Sequence, residues 1–168
     1  MEKYNKDECM ELLRDSADAR HFRTELWIMS GFFALWMLIS LTGLAESVQF
    51  FVYCALLGFA VFGSFILHDG ICLWKLYRNW ERYEYLRGRV DKEIATFDYR
   101  RDCTALQVIC QRRDGSGVVA NTRNIFRQKS VWLDGWPIAT DYANSEVLVA
   151  YDEKTERIVI LKRTYRKK

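Results

Sequence analysis

Two histidines, His21 and His68, are the only imidazoles in the chain, and both precede the C-terminal part that carries most of its remaining polar side chains. A Ser-His-Asp or Cys-His arrangement therefore has no base to draw on there. The carboxylates of that part (Asp98, Asp102, Asp114, Asp134, Asp141, Glu146, Asp152, Glu153, Glu156) fall mostly in turn-like stretches, where Asp is favoured for local hydrogen bonding. RRDGSG carries glycines but lacks the Lys-Ser/Thr ending of a phosphate loop and joins two strand-like runs. Five cysteines (Cys9, Cys54, Cys72, Cys103, Cys110) show no C-x-x-C and no metal spacing, which fits a reducing compartment. No catalytic residue, metal site or cofactor is expected, and the chain reads as a non-enzyme.

What remains is binding chemistry. Arg112, Arg113, Arg123 and Arg127, with Arg100, Arg101 and Lys129, lie near Trp132 and Trp136. Guanidinium groups suit phosphate and indoles suit stacking, so a small anionic ligand is one reading. A solvated basic face beside an anionic membrane is the other. Nucleic acid is not expected as a partner.

The elements that hold these residues follow from the distribution of charge. The mean hydropathy of -0.18 hides a stretch from Leu26 to Leu67 in which Glu46 is the only ionised residue. Leu26 to Leu44 and Val48 to Leu67 are charge-free runs of 19 and 20 residues. At 1.5 Å per residue each covers roughly the 30 Å of a bilayer's hydrocarbon core. Only Ala45, Glu46 and Ser47 separate them, so a transmembrane hairpin is expected, with spans 26–44 and 48–67. Arg14, Arg20 and Arg23 precede it, Lys75, Arg78, Arg82, Arg87 and Arg89 follow it, and the turn has no base. By the positive-inside rule both termini are cytosolic, in a bacterial inner membrane. The spans contain no Asp, Glu, Lys or Arg from which to build an ion or proton path. Small residues (Ser30, Ala34, Gly58, Ala60, Gly63, Ser64) offer places where helices can approach closely.

Around the hairpin (26–69), three further parts are expected. Residues 1–25, with 5 Lys+Arg against 7 Asp+Glu, read as one amphipathic helix carrying Met10, Leu13, Ala17 and Phe22 on a face. It lies along the membrane or packs on the C-terminal part. Residues 70–95 read as a cytosolic stalk helix, because Leu73, Leu76, Trp80, Tyr83, Val90 and Ile94 recur three or four apart, with Arg87 the one polar entry on that seam. Leu73, Leu76, Tyr77, Trp80, Tyr83 and Val90 then form an interaction stripe, for a second copy or a membrane-protein partner. Residues 96–168 read as a small antiparallel β meander, an open sheet or a compact barrel of six or seven short strands. Asp134-Gly135 and the DEKTE turn mark its clearest hairpins, with WPIATDY as a strand after the first. The whole is an α+β membrane protein.

The order of parts resembles, in layout, bacterial two-span effectors of antiphage signalling systems. In some of those a cytosolic β-barrel senses a cyclic nucleotide and the spans then damage the membrane. The same layout is similar to that of small immunity or exclusion proteins, and of accessory subunits in larger membrane complexes. The expectation drawn from the residues is more general: partner binding or self-association through the cytosolic β domain, with the bilayer as the other partner.

Overall fold

The structure, a computed structural model, describes residues 4–42, 47–94, 103–112, 114–127 and 136–164. Three helices come first: α1 (Lys6–Arg14), α2 (Ala17–Thr42) and α3 (Val48–Arg78). Six strands follow: β1 (Glu84–Ile94), β2 (Cys103–Gln111), β3 (Gly117–Asn121), β4 (Phe126–Arg127), β5 (Glu146–Asp152) and β6 (Arg157–Thr164). The chain folds into two compact units. One contains residues up to His21 together with those from Leu76 onward, and the other runs from Phe22 to Lys75.

The N-terminal segment is two helices where one is expected. Asn5 starts α1, and its backbone N–H donates to the Glu8 carboxylate at 2.8 Å, half of a capping box. The helix stops at Asp15. Ser16 then accepts the Ala19 N–H on its Oγ at 3.2 Å and donates that hydroxyl to the Leu13 carbonyl at 2.6 Å. One side chain thus caps the start of α2 and ties off the end of α1. Of the two placements open to this segment, the structure adopts the second: α1 lies against β6 and the 3-10 turn Trp80–Arg82.

The stalk helix is a correction. Helical structure continues past the second apolar run only to Arg78, and Glu84–Ile94 is a strand. Leu86 and Val90 point into the barrel and Arg87 and Arg89 point out, which is the two-residue period of a pleated strand. Between them sits Gly88, paired with Cys110 of β2 on one side and Val147 of β5 on the other. A Cβ there would lie 2.5 Å from the Cys110 sulfur and 2.9 Å from the Ile109 carbonyl oxygen. The glycine is a point of close approach between strands and not a helix breaker. The interaction stripe loses its basis with the helix: Leu73 and Tyr77 stay on α3, Trp80 falls in the 3-10 turn, Leu76 and Tyr83 are buried, and Val90 is a core residue.

Five strands close a barrel. β1 pairs with β2, β2 with β3, β5 with β6 and β5 with β1, all antiparallel, and β3 meets β6 in parallel through Asn121 and Arg157. The expected meander is therefore replaced by a crossover arrangement, in which β5 returns to the first strand. β4 adds a two-residue ladder to the start of β2. WPIATDY is not a strand: Ile138 makes one bridge to Arg127, and Ala139–Asp141 turns as a 3-10 helix. The Asp134-Gly135 hairpin lies outside the described residues.

The barrel core contains Leu86, Val90, Leu106, Val108, Val147, Val149, Ile158 and Ile160, alternating inward along their strands, with Phe126 and Tyr142 edge to face at 5.3 Å. Ala17, the first residue of α2, belongs to the same cluster. The outward residues Leu148, Val159 and Leu161 on β5 and β6 are also buried, on the side where α1 lies.

The second unit is built differently. α2 and α3 are both long and apolar enough to cross a membrane, yet only 11% and 6% of their most apolar windows are buried. Phe33 stacks edge-on against Phe59 at 4.9 Å. Trp36 lies over Gly58, where a Cβ would come within 2.5 Å of the indole, and donates its N–H to the Cys54 carbonyl at 2.9 Å. Gly58 is thus a small residue at which the partner helix packs close, while Gly63 has open space beside it.

Candidate functional site

Three places in the barrel unit could recognise something. The first is the outer face of β1, β2 and β3. Register places Arg89 opposite Ile109, and Ile109 opposite Val119, in one row across three strands. Ile109 and Val119 are 45% and 59% exposed, and they are the large exposed hydrophobic residues among the described residues of this unit. Arg87, Arg89, Ile109, Gln111, Gly117 and Glu146 line an open groove of about 750 Å³ on this face. The β2–β3 turn bounds it. Asp114 accepts the backbone N–H and the hydroxyl of Ser116, at 2.9 and 2.6 Å, which holds its carboxyl below the usual range. Gly115 sits at φ 84, in the left-handed region that glycine occupies without strain.

The second place is a cleft of about 610 Å³ lined by Tyr4 and, from α1, by Glu8 and Glu11, and from the barrel side by Tyr142, Lys162 and Arg163. Acids on one wall face bases on the other, so the cleft favours neither sign of ligand. Two of its bases are already engaged: Arg163 donates to the Asp141 carbonyl, and Arg20 to the Tyr142 hydroxyl at 2.6 Å.

The third is buried, where the first turns of α2 meet the segment after β3. Asp18 is 1% exposed, and its carboxylate lies 3.6 Å from Nε of Arg123. Neither carboxylate oxygen has a well-formed hydrogen bond, only a weak contact with the backbone of Asp18 itself. Burial pushes its pKa up from 3.8 to about 6, against the smaller opposing pull of Arg123 and Arg157. Asp18 precedes the charge-free run that begins at Leu26 by two helical turns and belongs to the barrel unit. His21, one turn further on, packs edge-on against Trp136 at 4.8 Å. Arg127 covers the same indole, with its guanidinium carbon 4.0 Å from the ring centroid. Tyr83, at the entry to β1, is raised to about 12 by burial and then by the charges of Asp18 and Asp152.

The arginines singled out from sequence are thus divided between two ends of the barrel. Arg112 follows the last residue of β2, pairs with Glu84 at 3.0 Å and Glu153 at 3.4 Å, and covers the Tyr151 ring. Arg127 pairs with Cys103 at the first residue of that nine-residue strand, roughly 30 Å away at about 3.3 Å per residue. Arg123, Arg127 and Trp136 do come together, around Asp18 and His21. Arg113 and Trp132 lie outside the described residues, as do Arg100, Arg101 and Lys129. Sequence reasoning did not find Asp18 or His21 as members of this cluster. It passed over the adjacent pair Asp15-Ser16, whose capping chemistry marks the start of a second helix and so turns Asp18 and His21 toward the barrel.

Among the described residues no group of three or more His, Cys, Asp or Glu is placed to hold a metal ion. Compared with protein-family models, curated proteins and solved structures, the chain matches none.

Proposed function

We propose that this chain is a non-enzymatic, membrane-anchored recognition module: a two-helix hairpin in the bilayer, and a barrel that binds a protein partner or a second copy through the outer face of β1, β2 and β3. The hairpin reading is supported by two helices that leave most of their apolar surface uncovered, with Trp27, Leu38 and Leu56 at 80%, 62% and 60% exposure. A core helix of a water-soluble protein hides such a surface. It is also supported by the sharing of one unit between the N-terminal segment and the C-terminal strands, because a chain that leaves the bilayer on the side it entered can assemble that way. Cytosolic termini are the orientation that the basic flanks favour.

The observation that carries the recognition reading is the row Arg89, Ile109, Val119. Two exposed aliphatic side chains beside two outward arginines stand out on a barrel whose β5–β6 side is already covered. Aliphatic contact with an arginine rim is the composition of a protein interface. The absence of an aromatic stacking platform in this groove argues against single-stranded nucleic acid among the described residues.

A photocrosslinking benzophenone side chain introduced at Val119 of the full chain, in native membranes, tests this. The expected result is one discrete adduct, either of twice the chain's mass or with a single heavier membrane protein. The same group at Asp7, an exposed position on α1, the helix that lies against β6, should give no such adduct. No adduct at Val119, or the same adducts from both positions, would refute the assignment of this face.

A further inference from the structure

We propose that Asp18 is a proton-controlled latch, which docks the first turns of α2 onto the barrel when protonated and loosens that docking when ionised. The inference is independent of the partner-binding reading and rests on the geometry of the buried cluster. Ala17 and Asp18 are each 1% exposed, and Ala17 is part of the barrel's hydrophobic cluster. The beginning of α2 is therefore an integral piece of the barrel, and it is the same helix that continues from Phe22 into the apolar pair.

An ionised carboxylate is poorly served in that position. Its nearest cation, Arg123 Nε, is 3.6 Å from Oδ1, too long for a hydrogen bond, and beyond a weak backbone contact within Asp18 itself neither oxygen accepts one. Buried carboxylates are ordinarily paired and hydrogen-bonded together, since Coulomb attraction alone rarely repays the loss of water. The groups facing Asp18 from each packed element are Arg123 on the segment after β3, Arg157 at the start of β6 and Tyr83 at the entry to β1. His21 lies one turn on along its own helix, beside Trp136. Asp152 and Arg82 stand one step further off, around Tyr83. The two arginines and a backbone hydrogen bond favour the ionised form, and burial opposes it with the largest single effect. The balance falls on the side of the neutral acid.

The direction of the effect follows. A carboxyl whose folded pKa is raised from 3.8 to about 6 holds its proton more tightly in the docked state than in an opened, hydrated one. Docking is strongest below pH 3.8 and weakens as pH rises through 6, then levels off. Proton release thus acts on the first turns of α2, the part of that helix that belongs to the barrel unit. The ligand of the latch is the proton, and its readout is the order of the α2 start.

Hydrogen exchange of the Ala17–His21 amides in the full-length protein, corrected for intrinsic rates and followed from pH 4.5 to 7.5, tests the latch. Protection should fall with rising pH by on the order of tenfold to a hundredfold, tenfold being the effect of one pKa unit. Asp18→Asn should remain protected and lose the pH dependence, which separates Asp18 from His21. Arg123→Gln should keep the dependence and move its midpoint to higher pH, because a cation that favours the ionised form has been removed. Should Asp18→Asn fail to fold, the Arg123→Gln midpoint decides, with an unmoved midpoint counting against the latch. Flat protection in the unmodified protein, or an unchanged pH profile in Asp18→Asn, would overturn it.

Discussion

Replacing Gly88 with alanine should destabilise the barrel by about 1–3 kcal/mol, the usual cost of forcing extra volume into a packed site. The sign matters more than the size. In the middle of a helix the same change gains about 1 kcal/mol, because glycine is the poorer helix former. In β1 the added methyl meets the Cys110 sulfur, which can shift, and the Ile109 carbonyl, which is held in the β1–β2 ladder and cannot. Urea unfolding of the full chain in detergent, monitored by far-ultraviolet circular dichroism, reads the difference. A lower midpoint supports the strand, and a higher one would restore the helical stalk.

The second large effect is expected at Phe126. Its ring is fully buried, packs edge-on against Tyr142 and belongs to a strand only two residues long, so few other contacts hold that corner. Phe126→Ala should cost about 3–5 kcal/mol through lost burial and the cavity left behind. Against a whole-domain stability of about 5–15 kcal/mol, that leaves a barrel close to unfolding. Thermal melts should show the sheet transition lowered sharply or lost, while the helical signal of the apolar pair persists. A shift of less than about 1 kcal/mol would mean that this corner of the core is not packed as described.

Much of this architecture was legible in the residues, and the failures have specific physical causes. The two apolar helices announce themselves because nothing but length and composition is needed to read them. The β2–β3 and β5–β6 hairpins were equally plain, since alternation and turn chemistry are local. The segment from Leu73 to Ile94 misled because two periods fit it at once. Tyr83, Val90 and Ile94 satisfy a spacing of three and four, while Leu86, Gly88 and Val90 satisfy a spacing of two. Gly88 hides the second pattern, because the residue that should mark the inner face has no side chain to mark it. Tyr83, Tyr85 and Val90, good strand formers, were the available hint.

Closure of the barrel was not legible, because β5 choosing β1 and β6 choosing β3 are decisions between distant segments. The candidate site shows the same division. Arg123, Arg127 and Trp136 were picked for their chemistry and do gather in one place. Their partners Asp18 and His21 lie more than a hundred residues earlier in the chain, and only the folded structure brings them together. Arg112 looked like a member of the same basic group, yet Glu84 and Glu153 hold it at the other end of β2.

Because the N-terminal segment and the C-terminal barrel form one unit, the proposed hairpin requires both ends of the chain to emerge on one side of the membrane. Short protease-cleavable tags at both ends of the full chain, probed in sealed membrane vesicles before and after permeabilisation, measure this directly. Both tags should be cut from one side only, together, with the apolar pair remaining in the membrane fraction after alkaline washing. Tags exposed on opposite sides, or a chain released by the wash, would contradict the account.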